Sequence, residues 1–90
     1  MIDLSAQDRA IAALRVERMR QERLKAAGKF AYTPADDIPD TDRLPMLVEE
    51  VGEVARAMCD GVGLYPELVQ VAALALAWLE YLERMGADHG

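Results

Sequence analysis

The chain has 90 residues, with 16 Asp plus Glu against 10 Lys plus Arg for a formal net charge of −6, and 52% of its residues are apolar. That length holds one domain, 1–90, and a chain so small buries only about 60% of its unfolded surface, so it gains from association. The single Cys59 cannot build an internal disulfide framework, no Cys/His zinc spacing occurs, and MIDLSAQDRA lacks the basic and apolar regions of a secretory leader. The longest apolar run, Leu68 to Leu79, spans 12 residues and is broken by Gln70, short of the roughly 20 that cross a bilayer. A pI near 4.6 argues against binding a nucleic-acid polymer. The expected setting is a reducing cytoplasm, with Cys59 as a small buried hydrophobe.

The charge is unevenly placed. Residues 1–45 carry eight acids and eight bases, whereas residues 46–90 carry eight acids against Arg56 and Arg84 alone. The composition is rich in Ala, Leu, Arg, Glu and Met and shows no alternating β-branched run, which predicts an all-α chain of three helices.

The first helix is expected over about 5–27. Ser5 and Asp8 give the S-x-x-D pattern of an N-terminal cap, Ile11, Leu14, Met19 and Leu24 mark an apolar side, and Gly28 is the stop. Residues 28–43 hold Pro34, Pro39, Asp36, Asp37, Asp40 and Asp42, which is loop chemistry, and loops of such length are often functional or mobile. The second helix is expected over about 43–59, opening at Asp42 with Pro45 in its first turn. Its core stripe is Leu44, Leu47, Val48, Val51, Val54 and Met58. Two glycines, Gly61 and Gly63, then mark a turn, and the third helix runs over about 66–85 to a stop at Gly86. Between Leu68 and Leu79 it is apolar nearly all round, so burial on several sides is expected, with helix three central to a bundle completed by homo-oligomerisation. The tail 87–90 reads as frayed, and His89 receives no role.

The second-half acids form a pattern. Residues three apart on a helix lie about 60° apart around its axis, so Glu50 and Glu53 share one face, and so do Glu67 and Gln70. Glu67 and Gln70 border the stripe of Val71, Leu74, Trp78 and Tyr81, and a carboxylate at such an edge needs a partner or a metal. If the two helices pack antiparallel, their carboxylate and amide oxygens suit Mg²⁺ or Mn²⁺. The plainer alternative is a solvated face, since glutamate is a good helix former.

The blocks Glu49-Glu50-Val51-Gly52-Glu53-Val54-Ala55 and Glu67-Leu68-Val69-Gln70-Val71-Ala72-Ala73 resemble the E-E-x-x-E and E-x-x-D motifs of the MazG-like all-α nucleoside triphosphate pyrophosphohydrolases. Glu17-Arg18-Met19-Arg20-Gln21, the Ala27-Gly28-Lys29-Phe30 turn and Ala77-Trp78-Leu79-Glu80 are similar to the small phage and bacterial members, so the resemblance covers roughly residues 14–82. It implies a helical bundle assembled as a dimer or a dimer of dimers. It also implies Mg²⁺-dependent cleavage between the α and β phosphates of a nucleoside triphosphate, giving a monophosphate and pyrophosphate. Glu50, Glu53 and Glu67 would be metal ligands, with Glu49 a ligand or the holder of the attacking water. Gln70 stands where the family has aspartate. Its amide oxygen can coordinate Mg²⁺ but brings no charge and cannot act as a base, so a catalytically weak or inactive nucleotide-binding oligomer is the alternative.

Phosphates also need cations. Residues 9–29 hold seven bases against Glu17 and Glu22, and Arg18, Arg20, Lys25 and Lys29 are the candidates for phosphate contact, with Gln21 for a base or ribose; the plainer and, residue by residue, favoured alternative is that most of these bases are solvated or pair with Glu17, Glu22 and the acids of helix two. Phe30 and Tyr32, in the loop, are the stacking candidates, whereas Trp78 and Tyr81 read as core or interface.

Overall fold

A computed structural model describes residues 1–86 and contains helices α1 (Leu4–Ala26), α2 (Asp40–Asp60) and α3 (Leu64–Met85). No strand occurs among the described residues, in keeping with the all-α reading. His89 and the expected fray at 87–90 lie outside the described residues. No helix among the described residues is long and apolar enough to cross a membrane.

The helix ends follow local chemistry, and three differ from the sequence expectation, α3 among them, since it opens at Leu64 rather than at Pro66. Asp3, not Ser5, is the N-cap of α1: its Oδ1 accepts the Ala6 amide at 3.0 Å, while the Ser5 hydroxyl accepts from Arg9 at 2.7 Å. Asp and Ser are comparable caps, and here the earlier one takes the position. At the other end, the Gly28 amide bonds the Lys25 carbonyl at 3.0 Å and the Lys29 amide bonds the Leu24 carbonyl at 2.8 Å. With Gly28 at φ 77°, this is a Schellman stop, which needs a left-handed residue after the helix. Helix α2 begins at Asp40, with Pro39 as N-cap and Asp40 and Asp42 in the first turn. Those carboxylates favour the positive end of the helix dipole. Pro45 therefore lies inside the helix rather than in its first turn and removes an amide that would reach back to the Thr41 carbonyl.

Helix α3 packs on both α1 and α2, which do not touch each other. The Gly61-Val62-Gly63 turn makes α2 and α3 antiparallel neighbours. The central place of the third helix agrees with its apolar run, and a gap is left between α1 and α2.

The segment after α1 is a built element. Arg43 is only 2% exposed. Its guanidinium donates to the Pro34 carbonyl at 2.9 Å, the Asp36 carbonyl at 2.6 Å and Asp40 Oδ1 at 2.6 Å, and it lies 3.8 Å from the centre of the Tyr81 ring. Lys25 reaches Asp36 at 2.7 Å, Arg84 donates to the Ala35 carbonyl, and the Tyr81 hydroxyl meets Asp37 at 3.1 Å. Cations from all three helices thus hold residues 33–40. Lys25 keeps the Asp36 carboxyl below its ordinary range, chiefly by the direct bond. Arg43→Ala strands buried carbonyls and is expected to cost about 2–3 kcal/mol, read as a lower urea midpoint. Arg43→Lys should recover only part of it, because an ammonium cannot reproduce the planar fork.

The apolar core is thin. The buried hydrophobic residues among those described are Ala35, Ala57, Ala73 and Ala77. The expected stripe of α2 is largely outside: Leu44, Val48, Val51 and Met58 are exposed, Leu47 and Val54 are half-buried, and the buried positions are Arg43 and Ala57. On α1, Ile11 and Met19 are likewise exposed, Leu14 and Leu24 half-buried, and Arg18 and Gln21 buried. Helix α3 buries only Ala73 and Ala77 fully and exposes Leu68 and Leu79. Cys59 is exposed, against the expectation of burial. The accessible surface is 6355 Å², where a compact monomer of this mass has roughly 5,200 Å². The radius of gyration is 14.1 Å, against about 12 Å for a close-packed chain of this length. Both exceed the values of a close-packed chain of this size.

Candidate functional site

The gap between α1 and α2, floored by α3, is a cleft of about 450 Å³. Each helix contributes residues at helical spacing: Glu17, Arg20 and Gln21 from α1, Met46, Glu49 and Glu50 from α2, and Gln70 and Leu74 from α3. Residues four and three apart share a helix face, so this grouping follows from three amphipathic patterns meeting on one side. Lys29, Phe30 and Tyr32, immediately after the Schellman stop, form a further wall.

Glu50 is the anomaly of the cleft. Its Oε2 is shielded from solvent and has no hydrogen-bond partner. Burial pushes its carboxyl above the ordinary value of 4.5, and the negative charges of Glu67, Glu53, Glu49 and Glu17 push it further. A buried polar atom without a partner is rare and costly. Among the described residues no base pairs with Glu50, and Arg56, the base of α2 nearest in sequence, reaches Glu53 at 3.9 Å.

The acidic residues are therefore neighbours without being a cage. Glu49, Glu50 and Gln70 line the cleft, while Glu53 and Glu67 lie outside its lining and act on Glu50 through their charge. Among the described residues, no three His, Cys, Asp or Glu side chains are placed to hold one metal ion. The convergence of Glu50, Glu53 and Glu67 expected from spacing is thus electrostatic proximity rather than a formed coordination shell. Mutual repulsion between unscreened carboxylates is sufficient reason for that separation.

The candidate cations divide in two. Arg20 and Lys29 line the cleft; Arg20 pairs with Glu17 at 3.1 Å, and Lys29 has no side-chain partner among the described residues. Arg18 and Lys25 do not line it and are engaged elsewhere. Arg18 meets Glu80 at 2.6 and 2.9 Å, Glu22 at 3.0 Å and Gln21 at 2.9 Å, tying α1 to α3. The Glu80 bond is the largest influence raising the Arg18 pKa. Lys25 is committed to Asp36 and, at 3.6 Å, Glu22. Burial raises the Glu22 carboxyl, but bonds from Thr33 and Arg18 outweigh it and leave the group lowered.

Glu80 and Arg43 have no site or scaffold role in the sequence reading, and Glu17 has one only as a pairing partner of the helix-one bases. Glu17 was recoverable from its i, i+3, i+4 relation to Arg20 and Gln21, whereas the pairing of Arg18 with Glu80 joins residues 62 apart and leaves no local signature. Compared with known proteins, the chain matches no family profile, no curated protein and no solved structure.

Proposed function

We propose that the cleft binds a nucleoside triphosphate together with Mg²⁺ or Mn²⁺, and that the chain hydrolyses it between the α and β phosphates, as the resemblance to the MazG-like pyrophosphohydrolases implies. The observation that carries this reading is the orphaned Glu50 oxygen, crowded by four other carboxylates, in the wall of a cleft that also presents Arg20, Lys29 and two aromatic rings. A cation resolves that frustration. The lack of a three-carboxylate cage suits Mg²⁺, which is usually held by one or two carboxylates with waters and substrate phosphate completing its shell. Glu50 and Glu49 are the residues to hold the ion from α2, Gln70 offers an amide oxygen from α3, and Glu53 and Glu67 stand behind them. Such an ion would neutralise phosphate charge and ease deprotonation of an attacking water.

Arg20 and Lys29 then offset the remaining phosphate charge, with Glu17 orienting the Arg20 guanidinium. Arg18 and Lys25 support the scaffold. Phe30 and Tyr32 give planar surface for a base. The open apolar face, away from the cleft, is proposed as the contact through which two chains form a homodimer, itself able to pair into a dimer of dimers. The cytoplasmic nucleotide pool is the setting this chemistry implies.

Incubation of the protein with each ribo- and deoxyribonucleoside triphosphate plus Mg²⁺ or Mn²⁺ is expected to release pyrophosphate. Absence of release with every nucleotide defeats the enzyme reading. The neutral Gln70 in the cleft favours one other reading, a binder without turnover. Activity that appears only in Gln70→Asp would select it.

A further inference from the structure

We infer that Gln21 and Glu17 form a fixed donor–acceptor pair that reads the edge of the ligand's ring, and that Arg18 sets the direction of that pair. The inference rests on the nucleotide reading of the cleft and adds to it the residues that would read the edge of the base.

Gln21 is 5% exposed, yet it borders the cleft. An amide can face either way, and here its neighbours decide. Arg18 Nη1 lies 2.9 Å from the Gln21 side chain, and a guanidinium has only donors. The atom facing Arg18 must therefore be the amide oxygen, and the NH₂ must point to the other side. There it meets Glu17 Oε2 at 3.5 Å, an atom that can only accept while ionised. Arg18 cannot turn to release Gln21, because Glu80 and Glu22 hold its Nε and Nη2. Glu17 is also restrained, its Oε1 accepting from Arg20 at 3.1 Å.

The NH₂ of Gln21 and the carboxylate of Glu17 thus stand side by side, oriented by partners behind them. At 3.5 Å their mutual bond is at the outer limit of a hydrogen bond, so a ring edge offering an acceptor beside a donor replaces one weak bond with two good ones. Unmodified nucleobases offer such an edge at a ring nitrogen and its exocyclic neighbour. Phe30 and Tyr32, on the adjoining wall, supply the faces between which such a ring lies. Methylating the ring nitrogen removes or blocks one of the two groups.

The test is calorimetric binding of hydrolysis-resistant α,β-imido triphosphates of uridine, cytidine, guanosine and adenosine with Mg²⁺. Each is compared with its ring-methylated partner: N3-methyl for the pyrimidines, N1-methyl for the purines. For the tightest-binding base, methylation is expected to weaken binding by about tenfold or more. Gln21→Leu should abolish that difference while inorganic tripolyphosphate binds as before. Arg18→Leu, which frees the amide to flip, should reduce it, with folding checked by circular dichroism. A wild-type protein that binds nucleotides but ignores methylation overturns the inference and leaves the proposed function standing. So does a Gln21→Leu variant that keeps the full difference. A protein that binds none of the eight analogues overturns both.

Discussion

Glu50→Gln is expected to make the protein more stable and less active at the same time. The substitution keeps the shape and removes the charge from the residue with the orphaned oxygen. Allowing for its partial exposure to solvent, relief of that burial is expected to yield about 1 kcal/mol, which in a domain of this size raises Tm by about 4–8 °C. The sign follows from linkage. The folded-state carboxyl titrates above its unfolded value of 4.5, so between those two values the folded protein keeps a proton that the unfolded chain has released. Stability therefore falls as pH rises from 4.5 through the raised value, and the deficit persists above it. The Glu50→Gln variant lacks that slope, so melting curves of the two proteins should diverge with increasing pH and coincide in acid. Mg²⁺ should raise the Tm of the wild type and leave the variant unmoved, while pyrophosphate release falls by at least about a hundredfold. Equal Mg²⁺ response in both proteins would remove Glu50 from the site.

Part of the cleft is legible in the sequence. Glu50 and Gln70 are visible as a carboxylate and an amide in pairs at helical spacing, Glu49 only through the family resemblance, and all three line the cleft. The spacing could not show that Glu53 and Glu67 stay outside it, because a helical wheel fixes angles about one axis and says nothing of the separation between two. Arg18 and Lys25 misled for a related reason. A basic run reads as anion binding, but Glu22 claims both from within α1, and their shortest pairs, with Glu80 and Asp36, lie on other elements. Arg43, a lone base amid acids, carries most of the order of residues 33–40 and gave no pattern at all. The three helices themselves are plain from composition and glycine stops, with α2 starting earlier, at Asp40 directly after Pro39.

The largest gap between pattern and structure is the stripe of α2, and it leads to the strongest prediction about assembly. Leu44, Val48, Val51 and Met58 follow the four-three spacing of a coiled-coil seam, yet Val48 is 59% and Val51 51% exposed. The periodicity is a true report of an apolar face, and nothing among the described residues covers it. Glu49 and Glu50 turn to the cleft on α2 while this stripe turns away, so a partner can dock without closing the cleft. The accessible surface exceeds that of a compact monomer by roughly 1,100 Å². A standard interface removes about 800 Å² from each partner, so a second copy laid on this face would cover most of that excess. A self-complementary seam closes with two-fold symmetry and brings Val48 and Val51 near the centre of the contact. The wild type is therefore expected to sediment as a dimer. Val48→Glu with Val51→Glu places four carboxylates in the closed seam and is expected to weaken association by at least about a thousandfold, equivalent to about 4 kcal/mol, giving a monomer in analytical ultracentrifugation. Because the buried positions of the single chain are mostly alanines, that monomer should also melt earlier and at a temperature independent of concentration, whereas the wild-type Tm rises with concentration. A wild type that sediments as a monomer at high concentration defeats the assembly. An unchanged dimer in the double variant moves the interface to another face.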